Sequence, residues 1–148
     1  MRASAGIRAA CTVLAFAAAP VWGIEFRAVA EPAVILYDAP SARSSKLFVV
    51  NKGYPLEVVV AVEGWVKVRD ANGSFAWADS KQLTDRRTVM VRVPLAQIRD
   101  KPDDNAAVAY QAQQNVLLEL VDVAGSWVQV RHRDSGVGFV KAQQVWGA

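Results

Sequence analysis

The chain has 148 residues, of which 17 are Lys or Arg and 14 are Asp or Glu, so its formal net charge is +3. A net charge this small argues against nucleic acid or an anionic membrane surface as the partner. One cysteine and one histidine exclude an internal disulfide and a zinc site built from several such ligands.

The first 23 residues have the layout of a secretory signal peptide. Arg2 and Arg8 form a basic start, an apolar run covers residues 9–22, and a possible cleavage site lies before Ile24. The run is too short to span a bilayer comfortably. We therefore expect residues 1–23 to be removed and the mature chain to be exported, as a periplasmic or secreted protein. The alternative is an anchor that is retained.

Cleavage would change the composition of the chain. Removal of Arg2 and Arg8 lowers the 17 basic residues to 15 against 14 acidic ones, which leaves a net charge of +1. The single cysteine, Cys11, would leave as well, so the mature chain would have no thiol chemistry and no disulfide. No second long apolar run follows, and we expect no stable membrane insertion after cleavage.

The first predicted unit, residues 24–84, has the pattern of short β-strands. The segments at 56–62 and 65–69 are rich in β-branched residues and alternate in character. Asn72 and Gly73 form a tight-turn dipeptide, which predicts a hairpin between the second segment and a return strand. No segment has a sustained helical period, so the sequence predicts an all-β fold.

Residues 85–148 repeat the first unit. When the chain is shifted by 62 positions it aligns with itself without a gap. The identities include Pro32 with Pro94, Pro40 with Pro102, Glu57 with Glu119, Trp65 with Trp127, Val68 with Val130 and Arg69 with Arg131. The sequence therefore predicts two copies of one small domain, at 24–84 and 85–148.

Each copy should form a small barrel. About five short strands are too few for a two-sheet sandwich, but they can close around a single core. Domains of this size are marginally stable alone. Because the link near Asp85 is very short, the two barrels are expected to pack against each other and share buried surface.

Two long segments carry a resemblance to a known family. KGYPLEVVVAVEGWVKVRDANGSFAWADSKQL, residues 52–83, resembles a bacterial SH3-like domain, and NVLLELVDVAGSWVQVRHRDSGVGFVKAQQV, residues 115–145, is similar. GWVKVR is the most specific part, whereas the openings LYDAP and IRDKP lack the glycine that the family carries there. The resemblance implies two tandem SH3-like β-barrels that bind a ligand non-covalently, often cell-wall peptidoglycan or a peptide.

Strand parity separates a core face from an outer face in each central strand. The valines of WVKVR are the natural core residues, so Trp65 and Arg69 should lie at the rim or outside. By the same rule Trp127 and Arg131 face outward in the second copy. An exposed tryptophan beside a cation suits sugar rings, peptide stems and carboxylates. The alternative is that each tryptophan covers a barrel end or lies between the domains.

Three further aromatic residues and the histidine complete the candidates. Tyr37 lies near the position of a groove tyrosine in eukaryotic relatives of this fold, and the second copy has Arg99 there, so the two grooves would differ. Trp77 and Phe139 are expected to pack in the core or at the barrel rim. His132 is interpreted as a solvated turn residue, since a general base or a metal site needs partners.

No catalytic residue, metal site or cofactor is predicted from these patterns. The sequence favours an exported binding module that recognises peptidoglycan or peptide through five residues, Tyr37, Trp65, Arg69, Trp127 and Arg131. The alternative is a periplasmic protein–protein adaptor or an envelope assembly component. The same tryptophan positions would serve either role, so the two hypotheses remain open at this point.

Overall fold

The computed structural model describes residues 23–148. The predicted signal peptide lies outside this range, apart from Gly23. Within the described part of the chain, no helix has the length and apolar character needed to cross a membrane. Its regular structure consists of fourteen β-strands and two 3-10 turns, Ser80–Gln82 and Ala142–Gln144, so the all-β prediction is confirmed.

The first half of the described chain forms a seven-stranded antiparallel sheet. Its strands are β1 (Glu25–Val29), β2 (Ala33–Tyr37), β3 (Lys46–Asn51), β4 (Pro55–Val62), β5 (Trp65–Arg69), β6 (Phe75–Asp79) and β7 (Leu83–Thr84). They lie in the order β3-β2-β6-β5-β4-β1-β7. The predicted hairpin is the pair β5–β6 at the centre of this sheet.

The second half repeats the same topology. Its strands are β8 (Thr88–Val91), β9 (Leu95–Arg99), β10 (Val108–Gln113), β11 (Leu117–Ala124), β12 (Trp127–His132), β13 (Gly136–Lys141) and β14 (Val145–Trp146). The order β10-β9-β13-β12-β11-β8-β14 matches that of the first sheet strand for strand. The internal repeat seen in the sequence is therefore a repeat of structure.

Alternation along the strands gives each half its own core. Val66 and Val68 in β5 are buried, as are Val128 and Val130 in β12, and the residues between them face outward. A fully buried valine stabilises the fold by about 1.5–2 kcal/mol relative to an exposed one. The first core consists of Val29, Val34, Leu36, Leu56, Val66, Val68, Ala76 and Ala78.

Turns and bulges set where each outer residue lies. Glu63 and Gly64 have φ of +42° and +87°, as a two-residue hairpin turn between β4 and β5 requires. Trp65 therefore begins β5 directly after a tight turn. A register shift between Val58 and Val60 interrupts the β4–β5 ladder, and β11 has one at the matching place. Such bulges turn the outer side chains relative to the rest of the strand.

The two barrels pack against each other through the end of the chain, as the short linker predicts. The Trp146 ring lies edge-on to Phe26 of the first barrel, with ring centroids 5.1 Å apart. Its indole Nε1–H donates to the Pro55 carbonyl oxygen at 3.1 Å, and the Thr88 hydroxyl donates to the Gly53 carbonyl oxygen at 2.5 Å. The interface thus combines an aromatic contact with satisfied polar groups.

A glycine allows this close approach. Gly147 is buried with φ of +109°, and a Cβ added there would lie 2.6 Å from the Thr88 carbonyl oxygen and 2.9 Å from Pro55 Cβ. Any larger residue at position 147 would force the two barrels apart or distort the backbone.

Candidate functional site

The outer face of the first barrel carries a group of aromatic side chains. Tyr37 and Trp65 contact each other edge-to-face, with ring centroids 5.6 Å apart and an interplanar angle of 86°. Trp77 lies directly across from Tyr37 in the adjacent strand, and Lys67 lies across from Trp77. We call this the first aromatic surface, made of Ile35, Tyr37, Trp65, Lys67, Phe75 and Trp77.

The first aromatic surface is largely apolar. The Lys67 ammonium lies 5.3 Å from the centre of the exposed Phe75 ring, which is a cation–π distance. Edge-to-face packing fixes the orientation of Tyr37 and Trp65 while leaving both rings half-buried. Flat, fixed rings of this kind can bind the apolar face of a sugar or the stem of a peptide.

The matching face of the second barrel is polar and charged. The Lys141 ammonium lies 5.8 Å from the centre of the Trp127 ring and 2.6 Å from the Asp104 carboxylate. Trp127 lines an open depression of about 260 Å³ together with Arg99 and Gln97. We call this the second aromatic surface, made of Gln97, Arg99, Asp104, Trp127, Lys141 and Gln143. It offers the Trp127 ring and charged groups of both signs, and Phe139 lies half-buried on the same outer face.

Corresponding positions explain the difference. Arg99 replaces Tyr37, and Lys141 replaces Asp79, under the shift of 62 positions. Trp65 and Trp127 are the only identical pair among these outer positions, while Trp77 aligns with Phe139. The two copies share a fold and present different chemistry, as the Tyr37/Arg99 difference in the sequence indicates.

The two predicted arginines, Arg69 and Arg131, make their contacts with residues other than Trp65 and Trp127. Arg69 Nε donates to Glu57 Oε2 at 2.9 Å, and its guanidinium also lies 5.6 Å from the centre of the Trp146 ring. Arg131 lies 3.5 Å from Glu119 in the second barrel. Of the five predicted residues, the structure brings Tyr37 and Trp65 into contact. It places Arg69 at the junction of the barrels.

The structure also places Trp77, Phe139 and His132, the remaining candidates from the sequence. Trp77 and Phe139, expected in the core or at the rim, alternate with buried residues and lie half-buried on the outer face. His132 ends β12, where its Nδ1 accepts the Asp134 N–H at 3.3 Å. In the range 23–148, no group of three or more His, Cys, Asp or Glu side chains is placed to hold a metal ion.

Sequence reasoning missed the charged residues around Trp127. Lys141 lies opposite Trp127 in the β12–β13 pair, and Asp104, in the loop after β9, joins the site through its ion pair with Lys141. The repeat alignment held a signal, because Lys141 aligns with an acidic residue, Asp79, directly opposite the equivalent tryptophan. This charge reversal beside a shared tryptophan marks a difference in the chemistry of the two surfaces.

Two seven-stranded antiparallel sheets with the same strand order are the architecture of a pair of SH3-like domains. The bacterial SH3 domain family matches residues 30–85 and again residues 92–147, two ranges of equal length that begin 62 positions apart. The chain therefore belongs to the bacterial SH3 domain family, in two tandem copies. The predicted resemblance and the predicted pair of SH3-like barrels are both confirmed.

Solved structures with some likeness to the chain are longer proteins. NlpC2 from Trichomonas vaginalis has 13% identity and a TM-score of 0.40, and the match covers 85% of this chain and 49% of that one. An NlpC/P60 family protein from Bacillus cereus has 15% identity and a TM-score of 0.38, with coverage of 82% and 56%. The chain spans about half the length of these proteins. No curated protein matches the chain.

Proposed function

We propose that the chain is an exported, non-catalytic binding module that recognises cell-wall peptidoglycan or its peptides through the two aromatic surfaces. Membership of the bacterial SH3 domain family supports a cell-wall-related binding role. The observation that carries the proposal is the tryptophan at the same outer position of both barrels. Trp65 and Trp127 are half-buried and hold their rings at the outer face of each barrel.

The chemistry of the surfaces fits a polymer of sugars and short peptides. Trp65 and Tyr37 provide fixed rings against which a sugar or an aliphatic stem can stack. Lys141, Arg99 and Asp104 provide partners for carboxylates and ammonium groups beside Trp127. Peptidoglycan contains all of these groups, so the two surfaces can contact different parts of one ligand.

Co-sedimentation with purified peptidoglycan sacculi tests the proposal. The protein spanning residues 24–148 is compared with the variants Trp65→Ala and Trp127→Ala, and circular dichroism checks that each variant is folded. We expect the protein to pellet with sacculi, each single variant to pellet less, and the double variant to stay in solution. Wild-type protein that stays in solution at low salt would sink the proposal.

A second candidate function is a periplasmic protein adaptor, and the edge strand β3 favours it. Among the strands of residues 23–148, β3 pairs only with β2, and its Leu47, Phe48 and Val49 are 44%, 41% and 68% exposed. An edge strand with exposed apolar side chains can accept an extended segment of another protein through main-chain hydrogen bonds. The β10 strand of the second barrel, VAYQAQ, is less apolar, so such a partner would select the first barrel.

The variant Val49→Lys separates the two functions. A charge on the edge strand should prevent strand addition while leaving both aromatic surfaces intact. If the chain is a wall-binding module, Val49→Lys pellets with sacculi like the wild type. If it is an adaptor, Val49→Lys loses a partner that crosslinks to the wild type, and the sacculi bind neither protein.

A further inference from the structure

A cleft of about 470 Å³ lies where the two barrels and the linker meet. The first barrel lines it with Ala28, Val29 and the turn at Lys52 and Gly53, the linker with Arg86 and Arg87, and the second barrel with Glu119 and Leu120. The cleft shares no lining residue with either aromatic surface. The cleft exists only because the barrels are packed together.

Three cations line this cleft without an acidic partner. Among residues 23–148, the ion pairs involve Arg27, Arg69, Arg131 and Lys141, and none involves Lys52, Arg86 or Arg87. The one carboxylate of the cleft, Glu119, lies 3.5 Å from Arg131. The cleft therefore has an excess of positive charge, which its own residues do not neutralise.

Arg87 is the most constrained of these cations. Its Nη2 donates to the Gly147 carbonyl oxygen at 2.7 Å, and its guanidinium lies 5.5 Å from the centre of the Phe26 ring. Its Nε is buried and has no hydrogen-bond partner within the described residues. Burial lowers the pKa of the Arg87 guanidinium below its ordinary value. These contacts hold the positive charge of Arg87 at the wall of the cleft.

The walls of the cleft indicate what kind of anion fits. Ala28, Val29 and Leu120 give it an apolar side, and its volume is in the range of small-molecule sites. Guanidinium groups bind carboxylates through paired, charge-assisted hydrogen bonds. The ammonium group of Lys52, on the turn of the first barrel, adds a further positive charge. We infer that the cleft binds the carboxylate of a short peptide or similar organic acid, with its aliphatic part against the apolar wall.

This inference goes beyond the proposed function, because it assigns a separate site to the junction. Titration calorimetry with N-acetyl-alanyl-alanine, its C-terminal amide and inorganic phosphate tests it. We expect the free acid to bind, the amide to bind at least about tenfold more weakly, and phosphate to bind more weakly than the acid. An amide that binds as well as the acid would overturn the role of the cations. Phosphate that binds as tightly as the acid would overturn the role of the apolar wall.

Variants locate the site. Lys52→Ala and Arg86→Ala are each expected to weaken acid binding about tenfold, since each removes one charge-assisted contact. Arg87 is left unchanged because it also holds Gly147. Lys101→Ala, an exposed cation outside the cleft, is the matched control and should bind the acid like the wild type.

The double variant Trp65→Ala, Trp127→Ala keeps the inference distinct from the proposed function. This double variant should no longer bind sacculi but should still bind the dipeptide acid. If it loses the dipeptide while Lys52→Ala and Arg86→Ala retain it, the ligand binds on the aromatic surfaces and the junction site is overturned. If no variant and no wild-type protein binds the acid, the inference fails while the sacculi experiment still decides the proposed function.

Discussion

Trp146 of the second barrel donates its indole N–H to the carbonyl oxygen of Pro55 in the first barrel, at 3.1 Å. The same ring packs edge-on against Phe26 and lies under the guanidinium groups of Arg69 and Arg92, at 5.6 and 5.8 Å. One side chain near the end of the chain therefore makes four contacts, three of them to the other barrel. The stability of the first barrel should depend on a residue that is 91 positions away from its hydrogen-bond partner.

Replacement of Trp146 tests this dependence. Trp146→Ala should lower the free energy of unfolding by about 2 kcal/mol, roughly half the cost of removing a fully buried tryptophan, because the ring is half-buried. Trp146→Phe, which retains the ring contact, should lose only the hydrogen bond, about 1 kcal/mol. Urea unfolding followed by circular dichroism measures both. Equal losses in the two variants would contradict the assigned role of the ring.

A buried carboxylate, Asp70, accepts more hydrogen bonds in the hairpin of the first barrel than its counterpart accepts in the second. Asp70 accepts the N–H groups of Asn72 and Ser74 at 2.9 and 2.8 Å, whereas the matching residue, His132, accepts one N–H at 3.3 Å. Asp70→Ala leaves two donors without this acceptor and should cost about 2 kcal/mol, and His132→Ala less than about 1 kcal/mol. Urea unfolding of both variants measures the difference. A larger loss for His132→Ala would contradict this account.

The two aromatic surfaces should respond differently to salt. The Trp65→Ala variant binds sacculi only through the charged second surface, so its binding should fall steeply as sodium chloride rises. The Trp127→Ala variant binds through the apolar first surface, so its binding to sacculi should change little as sodium chloride rises. Pelleted fractions over a salt series give the two slopes. Equal slopes would show that the charges beside Trp127 make no contact with the ligand.

Alkaline pH should weaken the fold through two tyrosines. Burial raises the pKa values of Tyr54 and Tyr110 above 10.0. The folded state therefore favours the neutral phenols, so their contribution to stability is complete below about pH 10 and is lost as the pH rises through the folded pKa values.

The tyrosinate absorbance of the Tyr37→Phe variant, in which these two are the remaining tyrosines, measures the effect. Its midpoint should lie above 10.0 in the folded protein and return towards that value in concentrated guanidinium. Identical midpoints in the two conditions would refute the raised pKa values.

Local patterns in the sequence were sufficient to predict the fold. Alternation in WVKVR and WVQVR identified the buried valines and the outward tryptophans, because the side chains of a strand alternate between its two faces. The gapless repeat predicted two units, and the short linker predicted that they pack. Each of these signals lies within one strand, one turn or one comparison between the copies.

The contacts between the barrels could not be predicted in this way. Trp146 aligns with Thr84, and Phe26 with Thr88, so the repeat gives no sign that these residues meet. Arg69 and Arg131 align with each other, yet within residues 23–148 only Arg69 lies over a tryptophan ring of the other barrel. The symmetry of the sequence is broken at the interface, where the neighbour determines each residue's role.

If the chain binds a repetitive polymer as proposed, the packing of the two barrels decides which repeat spacing can reach both aromatic surfaces. Since Trp146, Thr88 and Gly147 join the barrels directly, the two aromatic surfaces are separated by rigid contacts rather than by a flexible tether. A polymer bound at one surface presents its next repeat to the other at high effective concentration only when the spacing fits. Polymers whose repeat spacing matches the distance between the two surfaces would then bind with a gain in avidity, and polymers of other spacing would not.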